Sequence, residues 1–136
     1  MGVEEGRLED PAWTALFETL AQRSANRSAY FLYDWTVAAA VLFRADVGSY
    51  GAVQAVANEH LRRGGGDFPA STPEFVWPVD EEWVLNTDPD LVSTFVACDE
   101  GLANTILAHP RLEVLAVTLK SRIDRGADRI NRRRST

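Results

Sequence analysis

One stretch limits what this chain can fold into more than any other: EEWVLNTDPDLVSTFVACDEG, residues 81–101. Two runs rich in β-branched and aromatic residues flank Asp88-Pro89-Asp90-Leu91. Asp at the first position and Pro fixing φ at the second suit a type I turn. A tight hairpin closed there pairs Trp83 with Val96, Val84 with Phe95 and Leu85 with Thr94. Apolar groups then fall on both faces, the pattern of a hairpin covered by helices rather than one half-wetted. Asp99 is a candidate N-cap for a helix that follows directly, with Glu100 in its first turn.

The rest of the chain supplies those helices. Asp10 caps and Pro11 opens a helix whose Trp13, Leu16, Phe17 and Leu20 form one apolar stripe. Asp46-Val47-Gly48-Ser49 is a turn. Ser49 is expected to cap a second helix with Val53, Val56, Ala57 and Leu61 on its buried face and Gly64 at its end. Residues 28–35 read as a strand and 35–44 as a helix, although the run is apolar on all sides and its period is ambiguous. After the loop at 64–73 the expected order is strand, turn, strand, helix and a last strand, LEVLAVTL. The fold class expected is α+β, a small antiparallel sheet built on a central hairpin at about 82–98 with amphipathic helices packed over it. Residues 1–119 form one globular domain and residues 120–136 an irregular basic tail.

Composition narrows the function. A chain of 136 residues with 46% hydrophobic content can bury a core without metal or disulfide staples. A lone cysteine and no charged-then-apolar leader favour a cytoplasmic setting. The longest apolar run, nine residues at 35–43, is too short to cross a bilayer. Residues 120–136 carry seven basic and two acidic side chains, a net of +5. The remaining seven basic and 18 acidic residues give the body −11. Such a body repels nucleic acid and favours basic partners.

Catalytic and metal-binding patterns are scarce. The Gly64–Gly66 loop lacks the Lys-Ser/Thr of a phosphate loop. No CxxC, paired-histidine helix or nucleophile elbow is present. Asp88 and Asp90 at the hairpin tip lie about 25 Å along the strands from the acids at its open end, too far to share an ion. At that open end Asp80, Glu81, Asp99 and Glu100 could converge, yet a cap and solvated carboxylates explain them as well. Cys98 cannot reach His109, and only tertiary packing could bring it to His60. A structural cysteine is the default, with His109 a dipole partner at the helix C-terminus. No metal or cofactor is expected.

Residues 77–117 and, more loosely, 31–56 resemble small uncharacterised actinobacterial proteins of the immunity-protein type, found beside polymorphic toxins. The features shared are Trp77-Pro78, the Trp83 strand, the Asp88–Thr94 hairpin and the LAHPRLEVLAV step. The resemblance carries no catalytic motif. It implies a non-enzymatic inhibitor whose acidic face, Asp80, Glu81, Glu82, Asp99 and Glu100 with Trp77, meets a basic toxin or other basic protein. The alternative is a small ligand-binding protein or enzyme with a pocket around Tyr30, Tyr33, Asp34 and Trp35, aromatics and a carboxylate suited to a cationic or sugar-like ligand. The LEVLAVTL strand, if an unprotected edge, leaves a homodimer open under either reading.

Overall fold

The computed structural model describes residues 11–33, 40–63, 72–87 and 94–117. The described chain is α+β. Five strands form one antiparallel sheet: β1 (Ser28–Tyr33), β2 (Val41–Asp46), β3 (Phe75–Pro78), β4 (Val84–Thr87) and β5 (Thr94–Ala97), in the spatial order β2-β1-β3-β4-β5. Three helices, α1 (Pro11–Arg23), α2 (Tyr50–Arg63) and α3 (Glu100–Leu107), contribute to one core with the sheet.

That core follows from alternation along β1. Ala29, Phe31 and Tyr33 are buried, and Ser28, Tyr30 and Leu32 between them point the other way. The inward row continues through Val76 and Leu85, both fully buried. Onto it pack the Leu16, Phe17 and Leu20 stripe of α1, Val53 and Ala57 of α2, and Leu102 and Ile106 of α3. Aromatic rings join these layers. Phe17 stacks on Tyr50 at 4.2 Å between ring centres and on Phe31 at 6.2 Å, and Trp13 flanks both Phe17 and Tyr50.

The connection from β2 to α2 is held by side chains. Asp46 accepts from Gly48 N at 2.8 Å and opens a 3-10 turn, Val47–Ser49. Arg27 grips both oxygens of Asp46 at 2.9 Å, which holds that carboxyl below its ordinary range. A Cβ at position 48 would stand 2.7 Å from the Arg27 guanidinium, so a larger residue there would make that side chain shift. Ser49 therefore lies inside the turn rather than capping α2. Val56, expected on the buried face, is 54% exposed.

Four further expectations are corrected. The helix expected over 35–44 gives way, from residue 41, to β2; Val41, Phe43 and Ala45 alternate with exposed Leu42, Arg44 and Asp46, a period of two. The single strand expected after residue 74 is two strands, broken by a turn in which Glu81 has φ 59° and donates its N–H to Pro78 O. The hairpin pairs Leu85 with Val96 and Thr87 with Thr94, two residues offset from the tight-turn register. An offset of two keeps every side chain on its face and sets an apolar residue instead of Thr94 across from buried Leu85. Residues 112–117 of the LEVLAVTL segment are not a strand. The Asp88–Leu91 turn, the loop at 64–71 and the tail at 120–136 lie outside the described residues.

Trp83 is 2% exposed, and its indole N–H donates to Ser24 Oγ at 2.8 Å, tying the start of β4 to the end of α1. Phe17→Ala should cost about 3–5 kcal/mol. Trp83→Phe, which keeps a six-membered ring but loses the pyrrole portion of the indole and its hydrogen bond, should cost about 2 kcal/mol. Urea unfolding of both variants checks the ordering.

Candidate functional site

The turn after β3 and the N-terminus of α3 lie at the same end of the sheet, because β3, β4 and β5 run alternately up and down and Val84 pairs with Ala97. Asp80, Glu81 and Glu82 occupy the turn; Asp99 and Glu100 follow β5. All five are exposed. Asp80 accepts from Glu82 N at 3.3 Å, which shapes the turn. Asp99 is the N-cap expected, accepting from Leu102 N at 2.8 Å, and Glu100 sits in the first turn of α3. Among the described residues no three histidine, cysteine or acidic side chains converge as a metal site would require, so these carboxylates share an end of the sheet without forming a cage.

Trp77 stands beside this acidic turn on the outer face of β3, half-buried. Its ring tilts against Tyr30 at 5.5 Å, and the Arg44 guanidinium lies over the Tyr30 ring at 5.8 Å while its Nε donates to Ser28 Oγ. The register aligns Arg44, Tyr30 and Trp77 across β2, β1 and β3, with Leu42, Leu32 and Phe75 as the parallel row. Sequence reasoning missed this outer face because it assigned residues 41–44 to a helix. The alternation of VLFRAD is the signal that reveals it.

Two residues of the alternative pocket, Tyr30 and Tyr33, do not come together. Tyr30 and Tyr33 are three residues apart on one strand and so face opposite sides of the sheet. The Tyr33 hydroxyl is buried and donates to Gln54 Oε1 at 2.8 Å; burial, with Tyr50 nearby, pushes this phenol far above its usual range, so it stays neutral. Asp34 and Trp35 lie outside the described residues.

Cys98 is half-buried, and burial followed by the adjacent Asp99 pushes its thiol above the ordinary value. His60 is exposed on α2, which packs near β2 at the far edge of the sheet from Cys98. His109 lies beyond the last turn of α3 rather than in it; its Nδ1 accepts from Arg111 N at 3.1 Å and shapes the turn that follows. Neither histidine activates the cysteine.

Among the described residues no helix is long and apolar enough to cross a membrane. Compared with family models, with curated proteins and with solved structures, the chain matches none.

A thiol with a raised pKa has less thiolate at neutral pH and reacts slowly. Cys98 should therefore react with a disulfide reagent at pH 7.5 more slowly in the native protein than in urea. An equal or faster native rate would show an activated cysteine.

Proposed function

We propose that this protein is a non-enzymatic binding module that recognises a basic protein through the acidic end of its sheet, in the manner of an immunity-type inhibitor of a basic toxin domain. The observation that carries this reading is the grouping of five exposed carboxylates, from two separate connections, beside a half-exposed tryptophan. Complementary charge steers encounter, and a tryptophan that becomes buried on contact supplies binding energy that rim charges do not. The body charge of −11 adds a long-range field of the same sign.

Glu81 strengthens the argument. A non-glycine residue at φ 59° is strained by about 1 kcal/mol, and nothing in the turn requires a carboxylate there for folding. A use for its charge in binding would account for glutamate at such a position.

The test separates stability from binding. Glu81→Gly should leave stability unchanged or raise it by up to about 1 kcal/mol. The variant Glu81→Gln, Glu82→Gln, Asp99→Asn and Glu100→Gln, which removes the charges and keeps a capping side chain at position 99, should lose capture of a basic protein that the wild type retains from lysate at low salt. Purified, that partner should bind the wild type with an affinity that falls as salt rises, and Trp77→Ala should weaken it by about 2 kcal/mol or more. Equal capture by wild type and the charge variant would remove the acidic face from the reading.

A further inference from the structure

Residues 112–117, Leu-Glu-Val-Leu-Ala-Val, leave α3 without joining the sheet. Leu112 packs against the core, and its N–H donates to His109 O. Beyond it Val114 is 39%, Leu115 83% and Val117 50% exposed. Among the described residues no backbone hydrogen bond reaches 113–117. This is a β-prone segment whose large apolar side chains beyond Leu112 are exposed.

Among the described strands β2 lies at an edge of the sheet, six residues long, without proline or lysine to discourage pairing. Set antiparallel with Glu113 opposite Arg44, the segment places Leu115 opposite Leu42, which is 53% exposed, and Val114 opposite Phe43. Both outer-face rows are then extended in kind. Leu115 continues Leu42, Leu32 and Phe75; Glu113 continues Arg44, Tyr30 and Trp77 and supplies a carboxylate to a guanidinium that pairs with none among the described residues. The opposite edge, β5, is four residues long and carries no basic side chain to meet Glu113.

We infer that residues 112–117 of one copy add as a sixth strand to the β2 edge of a second copy, reciprocally, giving a two-fold dimer. A second copy is the occupant because donor segment and acceptor edge belong to the same sequence and are complementary in length, charge and apolar pattern. Within one chain the segment is not paired with β2. Reciprocal exchange pairs the β2 edge of each copy and gives a closed two-fold assembly. The inference is independent of the acidic end of the sheet.

Sedimentation velocity across a concentration series tests it, with circular dichroism to verify that each variant is folded. The wild type should approach twice the 15.1 kDa chain mass as concentration rises. Glu113→Arg and Arg44→Glu should each weaken dimerisation about tenfold or more, and combining them should restore it by re-forming the pair in reverse. Leu115→Asp, which leaves the buried core untouched, should give a folded monomer. A wild type that stays monomeric at every concentration overturns the inference. So does a dimer indifferent to Leu115→Asp, or charge reversals that fail to rescue each other.

Discussion

The stack of Phe17 on Tyr50, with Phe31 beneath, is the contact on which the remaining structure depends. It joins α1, the first residue of α2 and the middle of β1, three segments distant in sequence. β1 is paired on both sides, so fixing its inward face also fixes the faces of β2 and β3. A one-residue slip anywhere in that ladder would carry Ala29, Phe31 and Tyr33 into water and bring Tyr30 and Leu32 inward. The neighbouring polar contacts are consistent with that single solution. Tyr33 finds Gln54 inside the core, and Trp83 finds Ser24 at its margin, so the large amphipathic rings are buried with their polar atoms satisfied.

The same alternation produces the surface. Of the residues β1 turns away from the helices, Tyr30 and Leu32 align with Arg44 and Leu42 on one side and Trp77 and Phe75 on the other. On that face Tyr30, Leu32, Phe75 and Trp77 are half-buried and Leu42 is exposed. The acidic turn lies at the end of that face. The proposed recognition surface is therefore built from strand register and a β-turn, with Trp77 between them.

Much of this was legible in the linear sequence wherever a signal was local. Pro11 and the stripe of Trp13, Leu16, Phe17 and Leu20 gave α1 its start and its buried face. Asp99 was readable as a cap because the Asp-to-backbone bond spans only three residues. The pair of β-prone runs around Asp88-Pro89 revealed the hairpin, and register parity preserved its faces even though the ladder is offset by two. The failures are equally specific. WTVAAAVLFR is apolar on every side, so helix and strand periods compete, and only pairing with β1 makes residues 41–44 a strand. LEVLAVTL has the composition of a strand, but a strand also needs a partner, and residues 112–117 have none among the described part of this chain.

The sequence by itself determined the α+β class, the helix faces, the acidic body and the scarcity of catalytic groups, because each of these rests on residue type or on contacts within a few positions. Tertiary structure alone decided which acids share an end of the sheet, that Tyr30 and Tyr33 part to opposite faces, and that Trp83 is buried while Trp77 is half-exposed. Those outcomes depend on strand order and register, which are settled when side chains distant in sequence compete for one core.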